Sequence, residues 1–233
     1  MQITYYGQSC FAVVFGGKTL LFDPALSVNP LAKHIDIDTI KCDYILLSHG
    51  HGDHVADALR IAKNNDALII SNYEIVDWCI SKGARGHHLN LGGKYTFPFG
   101  IVKYVAAVHS STLPDGSSGG AAGGFVVWNE IMHNCFYFAG DTALTWDMKI
   151  IPMTCPQLDF AILPIGDNFT MGYGDALIAS DFLEVETVIG CHFDSFGSIV
   201  IDKKEAIEVF ITGGKELILP EVGAEVLLSM PIK

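Results

Sequence analysis

The stretch Asp43-Tyr44-Ile45-Leu46-Leu47-Ser48-His49-Gly50-His51-Gly52-Asp53-His54 decides how the rest of the chain is read. Its first half is a continuous apolar run, the pattern of a strand buried on both faces. Its second half places three histidines and an aspartate within six residues, in a chain with nine histidines among 233 residues. A polar turn after a strand accounts for the glycines and the aspartate but not for three imidazoles. Neutral imidazole and carboxylate are ligands that suit zinc, manganese or iron. His49 and His51 are two apart, so in extended backbone they face the same side. Gly50 and Gly52 let the chain bend. Asp53 and His54 can then address a second position as a helix begins at Val55. One ion cannot take all four from so tight a loop, whereas two ions can share them.

Outward from this stretch the elements alternate. Before it, Gln2 to Tyr6, Cys10 to Phe15 and Thr19 to Phe22 are short β-rich runs separated by Gly7 and Gly16-Gly17, the pattern of an antiparallel meander. After it, Val55 to Lys63 has helical spacing, Ala67 to Ile70 reads as a strand, and Tyr73 to Ser81 as a helix closed by Gly83. A second β stretch covers Gly100 to Val108, Gly124 to Trp128 and Asn134 to Ala139. Alternation then returns: strand Phe160 to Pro164, helix Asp175 to Leu183 with Asp175 as N-cap, strand Thr187 to Cys191, helix Asp202 to Ile211 and strand Glu216 to Leu219. Two halves of meander plus β/α predict an α/β fold, a four-layer αβ/βα sandwich with two sheets face to face and helices outside. Residues 1–233 are expected to form one domain. The stretch Ser110 to Gly124, with five glycines, reads as an active-site loop with a mobile tip rather than a linker.

Composition narrows the function classes. Half of the residues are apolar and 17% are charged, which excludes a disordered chain. The net charge is -12, from 14 Lys+Arg against 26 Asp+Glu, so neither nucleic acid nor an anionic membrane is an expected partner. No apolar run reaches the ~18 residues that span a bilayer. Met1 to Gly7 does not read as a secretory leader. Six dispersed cysteines without a CxxC pair predict free thiols and a cytoplasmic location. The oligomeric state is left open; the apolar content would allow a homo-oligomer.

Further metal ligands are expected at strand ends. His109 follows the run Ile101 to Val108, Asp141 follows Cys135 to Ala139, and His192 follows Thr187 to Cys191. Each comes directly after an apolar run, where open α/β folds place their sites. Asp23, after Phe22, is read evenly as a carboxylate orienting a ligand histidine through its other ring nitrogen or as a turn aspartate. Asn168 and Thr170, beyond the strand Phe160 to Pro164, are candidate substrate contacts. Ser110 to Thr112 are candidate pocket walls, and Cys191 should face the core.

This constellation resembles the metallo-β-lactamase superfamily, the binuclear metallohydrolases with an HxHxDH motif. Within it, Phe22-Asp23-Pro24, Ile45 to His54, Ala139-Gly140-Asp141-Thr142 and Leu163 to Gly172 are similar to the small metal-dependent hydrolases related to ascorbate-6-phosphate lactonase. The resemblance implies that His49, His51 and His109 hold one metal, that Asp53, His54 and His192 hold the other, and that Asp141 bridges them. Iron flavoproteins of the family have Glu where His51 stands, and its β-lactamases commonly have Cys where Asp141 stands. Neither departure applies, so a binuclear hydrolase is expected ahead of an iron redox enzyme or a non-catalytic metal-bearing scaffold. The expected cofactors are two divalent transition-metal ions, zinc first, with manganese or iron as alternatives. A hydroxide between the metals would be the nucleophile, since metal lowers the pKa of water from about 15.7 towards 7. Asp53 or Asp141 would guide the proton to the leaving group. The expected substrate is a small polar molecule with an ester-type bond, a lactone first and a phosphodiester next.

Overall fold

The computed structural model describes residues 1–228, so the last five residues of the expected 1–233 unit lie outside it. Strands β1 (Gln2–Gly7), β2 (Cys10–Phe15) and β3 (Lys18–Phe22) form the first meander. They are followed by β4 (Tyr44–Leu46), α1 (Gly52–Val55), α2 (Ala58–Asn65), β5 (Leu68–Asn72), α3 (Tyr73–Ser81) and β6 (Arg85–Leu89). The second half runs β7 (Lys94–Phe97), β8 (Gly100–Ala106), β9 (Gly123–Asn129), β10 (Asn134–Phe138), α4 (Ile150–Thr154), β11 (Phe160–Pro164), α5 (Tyr173–Phe182), β12 (Thr187–Cys191), α6 (Lys203–Thr212), β13 (Glu216–Ile218) and β14 (Glu225–Val226).

Among the described residues the strands form two seven-stranded sheets, ordered β14-β1-β2-β3-β4-β5-β6 and β13-β12-β11-β10-β9-β8-β7. Each is antiparallel in its meander. Each turns parallel where a helical crossover returns the chain, from β3 to β6 and from β10 to β13. The parallel strands end in register, Phe22 beside Leu46 and Leu46 beside Ile70 in one sheet, Phe138 beside Ile162 and Ile162 beside Ile189 in the other. The residues just past these ends therefore share one edge of the sandwich.

The apolar run of the opening stretch splits by parity, as strand geometry requires. Leu46 points between the sheets, where Phe11, Phe15 and Phe22 meet Phe125, Phe136 and Phe138. Phe22 and Phe136 pack edge to face with centroids 5.9 Å apart. Each such buried ring contributes about 1.5–3 kcal/mol. Ile45 and Leu47 point the other way, onto Ala58 and Ile61 of α2 and Ile75 and Cys79 of α3. On the far sheet Ala161, Leu163 and Val188 meet Ala176 and Ala179 of α5 and Ala206 and Phe210 of α6. The result is the four-layer sandwich that the alternation predicts.

Several element boundaries differ from the expectation. The helix expected over Val55 to Lys63 is broken at Ala56-Asp57. Asp57 accepts from the Ser27 N–H through its carboxylate and donates its own N–H to Pro24, which ties the chain to the segment after β3. Gly172, not Asp175, caps α5, and Asp175 sits in its first turn. The edge strands β6, β7 and β14 and the short α4 are additions. The loop from Ser110 is held in place: Leu113 is buried, Trp78 donates to Asp115, and Asn72 donates to the carbonyls of Gly119 and Ala121. Among the described residues no helix is long and apolar enough to cross a membrane.

Candidate metal centre

The shared edge carries the predicted ligands. Ser48 and His49 follow β4, Asp141 follows β10 after Ala139-Gly140, and His192 follows β12. Gly140 has φ +63°, and a Cβ there would lie 2.5 Å from the Ser48 side chain, so only glycine lets Asp141 reach the site. The segment before His109 is tied to that after Asp141, since the Val108 N–H donates to Thr142 Oγ1 and the Ala143 N–H to the Val108 carbonyl.

Among the described residues two groups of ligand atoms face the cavity, His49, His51 and His109 in one and Asp53, His54, Asp141 and His192 in the other, while a third, Asp23 with His49 and His54, lies fully buried behind them. Asp141 Oδ2 joins the first two. It lies 4.0 Å from His49 Nε2 and 3.7 Å from His109 Nε2 on one side, and 3.3 Å from His54 Nε2 and 3.0 Å from His192 Nε2 on the other. Asp53 Oδ2 is 3.5 Å from His54 Nε2 and 3.6 Å from His192 Nε2.

Asp23 occupies the orienting position behind the imidazoles. Fully buried, it accepts from Ser48 N–H at Oδ1, and from Ser48 Oγ and His54 Nδ1 at Oδ2. Ser48 Oγ, having donated to Asp23, accepts from His49 Nδ1 at 2.9 Å. One carboxylate thus fixes two imidazoles with their Nδ1 protonated and the Nε2 lone pairs turned inward. The consequence is a buried His54 Nε2 with no hydrogen-bond partner among the described residues, and a His49 Nε2 that faces His51 Nδ1 at 3.0 Å. Asp141 Oδ1 is likewise buried and unpartnered. Converging lone pairs and carboxylate oxygens, of nitrogen and oxygen donors without thiolate, fit a divalent transition-metal ion in each group.

The electrostatics agree. Burial pushes the His49, His51 and His109 imidazoles down from their ordinary value, with His54 adding to the effect on His49. Burial opposes charge on His54 and His192, but the carboxylates around them, Asp141 first, then Asp53 and, for His54, Asp23, together outweigh it and raise both, His192 to about 9. Burial favours the neutral acid for Asp53 and Asp141, yet His54 and His192 hold both carboxyls well below the usual range. A field that draws protons onto buried imidazoles also favours a cation.

Gln8 is a site residue that the sequence reading missed. Its Nε2 donates to Asp53 Oδ2 at 2.9 Å, and its carbonyl accepts from the His192 N–H. Gln8, Asp23 and His192 all have positive φ, 53°, 41° and 54°. Such backbone is disfavoured for residues other than glycine and persists where surrounding bonds over-determine it.

A cavity of about 420 Å³ opens over these ligands, and its other lining side chains are Ser110, Phe169 and Phe196. The candidate contacts Asn168 and Thr170 do not line it. Asn168 faces a neighbouring cavity, and Thr170 Oγ1 bonds the Met171 carbonyl. Between them Phe169 turns to the ligands. Cys191 is buried between the sheets, as expected.

Comparison with known proteins accords with this geometry. Residues 2–192 match the β-lactamase superfamily domain. A metal-dependent hydrolase of Flavobacterium johnsoniae is 52% identical over 228 residues, covering 98% of this chain and all of the relative. One of Christiangramia forsetii is 52% identical over 229 residues, with the same coverage. A metallo hydrolase of the archaeon Ignicoccus hospitalis superposes with a TM-score of 0.87 at 30% identity, over 97% of both chains. The chain belongs to the metallo-β-lactamase superfamily, among its small metal-dependent hydrolases.

Proposed function

We propose that this metal-dependent hydrolase cleaves an ester-type bond, a lactone or a phosphodiester, in a small-molecule substrate, with two divalent transition-metal ions. His49, His51 and His109 would hold one ion, Asp53, His54 and His192 the other, and Asp141 both. Zinc suits the donor set best, with manganese and iron as alternatives. The observation that carries the reading is the single oxygen Asp141 Oδ2, within 4.0 Å of imidazole nitrogens from both groups.

Bound metal supplies an acidified water as nucleophile and polarises the oxygen of the scissile bond. The chain does the rest. Asp23 and Ser48 lock the tautomers of His54 and His49. Gln8 holds Asp53 by a hydrogen bond. Asp53, with its side chain 29% exposed against 3% for Asp141, faces the cavity. It is the carboxylate placed to accept the proton of the attacking water and return it to the leaving oxygen. Cys10, Cys42, Cys79, Cys135, Cys155 and Cys191 are free thiols, which supports a cytoplasmic setting. The test is to strip the purified chain, reload it with zinc or manganese, and assay lactones and phosphodiesters. Turnover of either that appears only on reloading is expected. No turnover of either class by the fully loaded chain contradicts the reading.

A further inference from the structure

The proposal drawn here rests on the hydrolase reading and narrows its substrate. Apart from the metal-ligating residues, the cavity walls are Ser110, Phe169 and Phe196. Phe169 is 55% exposed and Phe196 36%, while the phenylalanines between the sheets are shut away from water. We propose that Phe169 and Phe196 form a recognition wall for an uncharged apolar group on the substrate, aromatic or branched, beside the bond that is cut. The site then takes a lactone or ester carrying such a group and disfavours one carrying a distal anion such as a phosphate.

Both rings sit on closed loops. Phe169 lies inside a loop whose ends are bridged at Gly166 and Gly172, and the Met171 N–H donates to the Thr142 carbonyl beside Asp141. Phe196 lies inside a loop closed by the Asp194 N–H to the Ile199 carbonyl. Asp194 also accepts from the Ile201 N–H and pairs with Lys203 at 2.9 Å. Closed loops leave little backbone to order when a ligand covers the rings they carry, so the apolar area those rings bury converts into affinity. The opposite chemistry is missing from the walls. Among the described residues no lysine or arginine lines the cavity, so a distal phosphate would meet neither an ammonium nor a guanidinium fork. Ser110 Oγ lies 3.3 Å from His51 Nε2 and, among the described residues, Ser110 is the one polar side chain in the wall outside the candidate metal ligands. The polar neighbours Asn168 and Thr170 are turned elsewhere, which leaves the ring between them as the contact.

The test uses the zinc-loaded chain and three carboxylates with a common head: butyrate, 4-phenylbutyrate and glutarate. Calorimetry should show 4-phenylbutyrate binding about tenfold or more tighter than butyrate, and glutarate no tighter than butyrate. Phe169→Ala and Phe196→Ala should each cut the phenyl preference by about threefold or more with metal content unchanged. Both side chains are exposed, so these variants spare the core. Equal binding of butyrate and 4-phenylbutyrate, tightest binding of glutarate, or an undiminished preference in both variants overturns the wall. Turnover of γ-phenyl-γ-butyrolactone is measured alongside. A phenyl preference that the variants lose, with no turnover of lactone or phosphodiester, keeps the wall and overturns the ester-hydrolase reading.

Discussion

Asp141 presents one carboxylate oxygen to both halves of the centre, so it is the residue whose chemistry is least replaceable. An amide keeps the shape but carries a single oxygen, and its NH2 repels a cation. Asp141→Asn should lower activity by about 10² or more and reduce the content of both metals, read by elemental analysis and steady-state kinetics. Full metal and wild-type rate would remove Asp141 from the ligand set. Asp23→Asn puts a donor or a rotated amide against Ser48 Oγ and His54 Nδ1, which both donate to the same oxygen. Metal affinity should fall about 10–100-fold, less damage than at Asp141, because the ligands themselves remain. Competition with a chromophoric chelator measures it, and unchanged affinity would mean that Asp23 orients nothing. At this scale the convergence of the strand-end candidates His109, Asp141 and His192 was legible because each follows an apolar run. Gln8 was not, since a glutamine in a turn between two strands carries no pattern, and its role depends on a contact 45 residues away in sequence. Phe169 is not legible either, because a polar loop gives no sign of which side chain turns towards the cavity.

Elements were legible where periodicity is strong. The two-face apolar strand β4 and the helix α3 follow the pattern closely, and Asn72 caps α3 by accepting from the Ile75 N–H. The edge strand β6, Arg85-Gly86-His87-His88-Leu89, lacks both alternation and an apolar run, so nothing in it announced a strand. The loop after His109 misled in the other direction. Its glycines and serines suggest mobility, but Leu113 is anchored in the core under α2 and α3, and Asn72 binds two of its carbonyls. Asn72→Ala removes the cap and both of those bonds. It should cost about 2 kcal/mol in urea unfolding and speed amide exchange over residues 111–121. Unaltered exchange there would show that the loop does not depend on this residue.

For the whole molecule, the repeat of meander and β/α made the sandwich legible, while which strands lie at the edges depended on pairings between distant segments. The buried charge at the shared edge gives the metal-stripped chain its own pH signature. His54 and His192 are raised, so their stabilisation is full below the unfolded imidazole value of about 6.5 and is lost as pH climbs through their folded values, about 9 for His192. His49, His51 and His109 are lowered, so their contribution is present above about 6.5 and lost as pH falls below it. Thermal melts of the stripped chain should therefore peak near pH ~6.5. The loaded chain should instead gain stability up to neutral pH, because protons compete with metal for the same nitrogens. Identical pH profiles with and without metal would separate the site from folding. The central claim is that one compact set of side chains holds two ions. Native mass spectrometry of the zinc-saturated chain tests it most directly. Two zinc ions per chain are expected, falling for Asp141→Asn, whereas loading that saturates at one ion under excess zinc rules out a binuclear centre.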